Sequence, residues 1–385
     1  MRVFICFIVA LSFVCCTSKG KTGRDNKAAG NAVEEIPIPG NKYALGFMIN
    51  RISSGFELTL MDPWNRGNVF EKYLVSDGDS VPGKEESGFR LIRPPFNRWA
   101  VSSTTHIGFM NALGESQKIV GSTSPDRIYD SETHERFKDG EISKIGSDME
   151  FNFESVLGIK PDIILQTAFE GQQQRDNRLL ATGMNFVYIL EWLEPHPLGR
   201  AEWIKVFGLL TGKQEEAESI FGKVSDNYYR LREDVSAKGS KPLVMIGNNF
   251  NGTWYMPGGG NYMCRFLEDA GFSYPYFDNE KRGSLALNFE NVLKEFRTAD
   301  IWLNVSASNL DALLQEDSRY SLFKPYASGK VYSVSGRVNS GLGNDYWESG
   351  VVYPDRILED LVSISNPDIL PDHKLMYYKN LGLGN

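Results

Sequence analysis

The 385-residue chain is 41% apolar and 12% aromatic, which describes a folded protein and excludes a disordered one. Its length exceeds one ordinary core and fits two domains with an extension. A formal charge of −8 and a pI near 5.3 exclude a nucleic-acid partner, because no basic excess exists to displace counterions from phosphates.

The N-terminus reads "MRVFICFIVALSFVCC", one early Arg2 followed by an apolar run from Val3 to Val14. That run is shorter than the roughly 20 residues of a spanning helix, so it predicts a secretory signal peptide over 1–16. Its end at Cys15-Cys16 resembles the lipobox of bacterial lipoproteins, which implies lipidation at Cys16, with Cys15 as the alternative thiol. Plain secretion with an incidental cysteine pair is the other reading. Cleavage leaves Cys16 and Cys264, and a lipidated Cys16 leaves no internal disulfide to form. Residues 17–41 are rich in Lys, Gly, Asn and Glu and aperiodic, which suits a tether. The expected location is periplasmic, held to a bacterial membrane by lipid.

Residues 42–96 alternate in period two as "YALGFMINRI", "FELTLMD", "VFEKYLVSD" and "FRLIR", a pattern for a small antiparallel β extension. The pattern then changes to strands alternating with helices. "RWAVSS", "KIVGSTS", "IILQT" and "NFVYIL" read as strands; "HIGFMNALG", "NFESVLGIKPD" and "RDNRLLATG" read as helices. This predicts a mostly parallel α/β lobe over 97–200. Across 201–240, Trp203, Val206, Phe207 and Leu210 share one face before Gly212. Ala217, Ile220, Phe221, Val224, Tyr228, Leu231 and Val235 then keep helical spacing, for a strut of roughly 30 Å. Alternation restarts over 241–365 with strands "LVMIG", "IWLNV" and "KVYSV" and helices "NYMCRFLEDAG", "NFENVLKEFRTAD" and "YPDRILEDLVSI"; residues 366–385 form a tail. The fold class expected is therefore α/β, two lobes bridged by a long rigid helix.

A repeat supports the two-lobe reading. "FNFESVLGIKPDIIL" from Phe151 nearly recurs as "LNFENVLKEFRTADIWL" from Leu287, 136 positions on and with two extra residues before the strand. Each copy is a capped helix running into an Asp and a strand.

Ligands of open α/β sheets bind beyond the carboxyl ends of the strands. The loops there hold Phe169, Trp192, Phe250, Trp254, Tyr255, Tyr346 and Trp347, with Arg127, Arg200 and Arg337 as cations and His106 at a helix start. Such a lining suits a large, flat, partly anionic ligand, although each aromatic taken singly also fits ordinary core packing. Catalytic machinery is sparse. Only His106 and His196 of four histidines fall in these loops, short of a metal-ion site of converging ligands. "PGGGNYM" lacks the Gly-Lys-Ser/Thr of a phosphate loop, and no Gly-x-Ser-x-Gly elbow occurs.

"RWAVSSTTHIGFMNALGESQKIVG", "NFESVLGIKPDIIL" and "LLTGKQEEAESIF" resemble the iron-siderophore/vitamin B12 periplasmic-binding family of ABC importers, over about residues 97–365. "PHPLGRAEWIK" and "GLGNDYWESG" resemble its Bacteroides-type members. The resemblance implies two α/β lobes on a rigid helix, no cofactor and no catalysis. It also implies a cleft that delivers a metal chelate (ferric siderophore, haem or cobalamin) to a permease dimer. In that family one surface glutamate per lobe docks to the permease, and Glu154 and Glu290 stand at the matching places of the repeat. A glutamate in the first turn also simply favours its helix, by about 0.3–1 kcal/mol. Two other functions stay open: a lipoprotein enzyme acting on a chelate, and a binding module for an outer-membrane partner that uses the 43–95 strands.

Overall fold

The computed structural model describes residues 40–76, 88–147, 150–237 and 241–383, which fall within one compact unit. The leader 1–16, Cys16 and the tether as far as residue 39 lie outside the described residues. Among those described, no helix is long and apolar enough to cross a membrane.

The extension comes first. Strands β1 (Phe47–Ile52), β2 (Gly55–Met61) and β3 (Val69–Val75) form an antiparallel meander, and β4 (Arg90–Ile92) joins β3 in parallel. The expected all-antiparallel appendage is corrected in that last strand. It is also no independent module, because Leu58, Leu60, Tyr73 and Ile92 are buried in the same core as the lobe that follows.

That lobe runs through β5 (Trp99–Val101), α1 (Thr104–Ala112), β6 (Ile119–Ser122), α2 (Ser131–Lys138) and β7 (Ser143–Lys144). A short hairpin, β8 (Gly146–Ser147) and β9 (Glu150–Phe151), leads to α3 (Phe153–Ile159) and β10 (Ile163–Thr167). The stretch expected as one helix at 175–183 is instead part of two single-turn helices, α4 (Gln172–Arg175) and α5 (Asn177–Leu180), before β11 (Asn185–Ile189). The sheet is parallel throughout, in the order β11-β10-β5-β6-β7. Its centre is Ile, Leu, Val and Ala with no solvent exposure, as a sheet covered on both faces requires.

Three helices then cross the molecule: α6 (Pro197–Glu202), α7 (Ile204–Thr211) and α8 (Gln214–Ser236). Gly212 ends α7 in the left-handed region at φ 75°. The buried stripe of α8 changes hands partway along. Ala217 and Phe221 belong to the first core, whereas Val224, Tyr228, Leu231 and Val235 belong to the second.

The second lobe is built from β12 (Val244–Ile246), β13 (Asn249–Phe250), β14 (Thr253–Pro257), α9 (Tyr262–Asp269), β15 (Ser284–Leu287), α10 (Phe289–Phe296) and β16 (Ile301–Leu303). It closes with α11 (Leu310–Glu316), α12 (Lys324–Ala327), β17 (Tyr332–Ser333), α13 (Pro354–Ser365) and β18 (Lys379–Asn380). β12 and β16 pair in parallel, and single parallel bridges extend them through Leu243–Ser273 and Trp302–Val331. The stretch holding Phe250, Trp254 and Tyr255, expected as a post-strand loop, contains a hairpin, β13 with β14, to which β15 adds an antiparallel third strand. The expected tail is docked: β18 pairs with β17, and the buried Asp360 carboxylate accepts N–H bonds from Met376, Tyr377 and Tyr378 at 2.7–3.1 Å.

A similar device fastens the N-terminal segment. The fully buried Glu202 carboxylate accepts from the N–H groups of Lys42, Tyr43 and Ala44 at 2.8–3.1 Å and pairs with Lys205 at 3.0 Å. Glu194 next to it accepts from Leu45 and Gly46, both at 2.8 Å. A Glu202→Ala variant leaves those donors and Lys205 without their carboxylate in a dry site. It should lose about 3 kcal/mol of stability, read from urea denaturation midpoints; a loss below about 1 kcal/mol would show that the clamp carries little.

Candidate functional site

In the first lobe β10 and β11 are neighbours, so the loops that follow them set Phe169 and Trp192 side by side, ring centroids 5.2 Å apart. Trp192 donates its indole N–H to the Ala168 carbonyl at 3.1 Å, which fixes one edge of the ring while the rest stays exposed. This pair is a ready-made stacking wall.

Beneath it lies a polar layer that is shut away from solvent. Ser103 caps α1 and accepts from the Thr105 N–H, and Thr105 donates its hydroxyl to Glu191 at 2.8 Å. Burial raises the Glu191 carboxyl above its ordinary range, against the pull of Arg200 and Thr105. His106 is fully buried, with Nε2 at 3.2 Å from the Thr167 hydroxyl, and burial lowers its pKa to about 3. It is therefore a neutral interior ring, a correction to its expected place among the ligand contacts.

In the second lobe the strand period decides which aromatics face outward. Asn251 and Gly252, at φ 50° and 85°, make the tight turn of the β13–β14 hairpin. On β14, Tyr255 is 51% exposed, whereas its neighbour Trp254 has no exposure. Trp254 packs on Trp302, Tyr320 and Phe323 and donates to the Ile246 carbonyl at 2.7 Å. It is a core residue, and the expectation that it lines the cleft is corrected. Phe250 at the hairpin turn is the most exposed of the candidate rings, at 67%. The signal for this division was present in the sequence as an Asn-Gly dipeptide flanked by alternating residues.

Arg200, Tyr346 and Trp347 do meet. They line one narrow cavity of ≈ 10 Å³ with Tyr262, Phe266 and Pro197. The Arg200 guanidinium lies 4.5 Å from the Tyr262 ring centroid. Tyr346 is buried and stands edge-on to Trp347 at 4.7 Å, so Trp347, 45% exposed, is the outward member of that pair. Tyr262 was not singled out from the sequence, because a tyrosine on the first turn of an amphipathic helix looks like core.

The remaining cations differ in state. Arg127 is exposed at the end of the turn 125–127. Arg337 pairs with the buried Asp345 at 2.7 Å and lies over the Tyr129 ring at 5.2 Å, so its charge is already matched. Its setting is an open recess of ≈ 230 Å³ shared with Asp130, Glu348, Tyr353 and Arg356.

The wall of that recess holds the lobes together. Glu348 accepts from the Tyr129 N–H at 2.7 Å and the Asp130 N–H at 2.9 Å, and Asn339 donates its amide to the Ile128 carbonyl at 2.8 Å. Gly108 of α1 makes the approach possible, since a Cβ there would sit 2.0 Å from the Glu348 carbonyl oxygen. Glu154 and Glu290 lie elsewhere, exposed in the first turns of α3 and α10. Each helix is capped by an asparagine: Asn152 accepts from Ser155 N–H at 2.9 Å and Asn288 from Asn291 N–H at 2.8 Å. Among the described residues no group of three or more His, Cys, Asp or Glu is placed to hold a metal ion.

Residues 100–337 match the family model for periplasmic binding proteins, well over half the chain. The chain belongs to that family. The two parallel lobes on a bridging helix agree with its solved members. A TroA-like periplasmic binding protein from Veillonella parvula superposes with a TM-score of 0.56 at 19% identity, over 75% of this chain and 96% of that one. A periplasmic heme binding protein from Pseudomonas aeruginosa gives 0.54 at 15%, over 71% and 94%. In sequence, a lipoprotein of Methanocaldococcus jannaschii is 26% identical over 335 residues, covering 82% of this chain and 77% of its own.

The seam makes a pH prediction. Burial raises the Glu348 carboxyl from 4.5 to about 7, despite its two backbone donors. Between those values the native state holds a proton that the unfolded chain has released. The stability linked to this group is therefore full below about pH 4.5 and is lost as pH rises through about 7. Glu348→Gln should remove up to about 1.4 kcal/mol per pH unit of that slope, read from denaturant unfolding across the window; an unchanged slope would refute the assignment.

Proposed function

We propose that the protein is the substrate-binding lipoprotein of an ABC importer, which takes a metal chelate into the interlobe cleft and delivers it to a paired permease. The observations that carry the reading are the exposed aromatics in loops after the strands: the Phe169–Trp192 pair, and Trp347, which lines a cavity with Arg200. Flat apolar area with one cation suits a chelate whose rim is partly anionic, such as a ferric siderophore, haem or a corrinoid. Solved relatives of the same fold include a periplasmic heme binding protein and part of an Fe³⁺-hydroxamate transport system from Saccharomonospora viridis, which favours that ligand class.

Delivery is supported by Glu154 and Glu290. They occupy equivalent positions of the internal repeat, both exposed and both in a first helical turn. A two-fold permease requires two similar contacts, and a duplicated lobe supplies them. Lipidation at Cys16 would hold the protein at the membrane where the permease sits.

Two measurements test the reading. Purified protein titrated with ferric hydroxamates, haemin and cobalamin should show tryptophan quenching with one of them, and Trp192→Ala should weaken that binding about tenfold; saturable binding of none would remove the chelate class. Glu154→Arg combined with Glu290→Arg should abolish uptake while leaving ligand affinity unchanged. Uptake at the parental rate would remove the docking role.

A further inference from the structure

The recess at the seam, ≈ 230 Å³, is far roomier than the ≈ 10 Å³ cavity that Trp347 lines. At about 30 Å³ per molecule it equals about seven waters, which is room for a small metabolite and too little for a chelate. Asn111, Tyr129 and Asp130 line it from the first lobe, and Arg337, Glu348 and Arg356 from the second. Whatever fills it touches both lobes.

The charges on its wall are unevenly satisfied. Glu348 takes two N–H groups across the seam, and Asp345 holds Arg337. Asp130 caps α2, accepting from the Thr133 N–H at 2.9 Å and the Thr133 hydroxyl at 2.7 Å, both on Oδ1. Arg356 differs from all of these. It is half-buried, with its guanidinium carbon 4.1 Å from the Tyr353 ring centroid, and it pairs with no carboxylate among the described residues. A bare anion drawn to Arg356 would also meet Asp130, Asp345 and Glu348, and a bare cation would meet both arginines. A ligand that carries both signs close together avoids either repulsion.

We propose that the seam recess binds a small zwitterion of the α-amino-acid class, with its carboxylate on Arg356 and its ammonium on Asp130. The Arg356 guanidinium is a planar fork already laid on the Tyr353 ring, and such a fork matches a carboxylate through two parallel bonds. Asp130 keeps Oδ2 for the ammonium, because its cap uses Oδ1 alone. This site is separate from the Phe169–Trp192 pair and does not depend on the chelate reading.

The test is isothermal titration calorimetry of the full-length protein at low salt, with the twenty amino acids as probes and acetate and ethylamine as single-charge probes. At least one amino acid should bind saturably with a Kd at or below about 1 mM, and acetate and ethylamine should bind at least about tenfold more weakly. Arg356→Met keeps the stem on Tyr353 and removes the cation. Asp130→Asn keeps the cap of α2 and removes the anion. Each should weaken amino-acid binding about tenfold or more while the thermal midpoint of the unliganded protein shows that it folds. Either variant decides the matter if the other does not fold. Trp192→Ala should bind the amino acid as the parent does. Saturable binding of no amino acid, parental affinity in either recess variant, or acetate bound as tightly as the amino acid would overturn the assignment. A loss in Trp192→Ala equal to that in Arg356→Met would overturn it too, by moving the ligand to the aromatic pair.

Discussion

The two-lobe arrangement of this molecule depends on the sharing of one helix between two cores. The first two turns of α8 bury Ala217 and Phe221 with the first sheet, and the remainder buries Val224, Tyr228, Leu231 and Val235 with the second. A helix committed to both cores cannot swing relative to either without exposing apolar area, at about 25 cal/mol per Å². The two cores are thereby joined by a rod instead of a flexible hinge.

Buried carboxylates then secure what the cores leave loose. Glu202 and Glu194 collect the backbone N–H groups of residues 42–46, Asp360 collects those of 376–378, and Glu348 collects those of 129 and 130 across the seam. In each case a short irregular segment has donors that neither sheet nor helix can satisfy, and one acid satisfies two or three of them at once. The same burial that makes these clamps rigid raises the carboxyls of Glu194 and Glu348 to about 7. Fastening chain ends and holding the lobes together are thus the same chemistry at different places.

Much of the scaffold was legible from local pattern. The stripe of α8, the α/β alternation and the capped repeat helices are all governed by neighbours within about four residues, and periodicity reports those directly. The site was legible only in outline. Trp254 and Tyr255 are adjacent and chemically alike, yet one is sealed among Trp302, Tyr320 and Phe323 and the other faces water, because a strand alternates its faces. An expectation that places both in a loop lacks the rule that separates them. Arg337 looked like a free cation until Asp345 was found against it, and His106 looked accessible until α1 was packed onto the sheet.

By itself the sequence determined two related α/β halves, a stiff helical connection between them, and one glutamate in each half at the start of a capped helix. These are properties of short windows, where side-chain spacing and backbone geometry leave little choice. Tertiary structure alone decided which aromatics are exposed, which cations are already matched, and that Glu348 ties residues more than two hundred positions away to its own loop. Such partners are brought together by the topology of both sheets, and no local pattern encodes a contact whose two sides are folded into place separately.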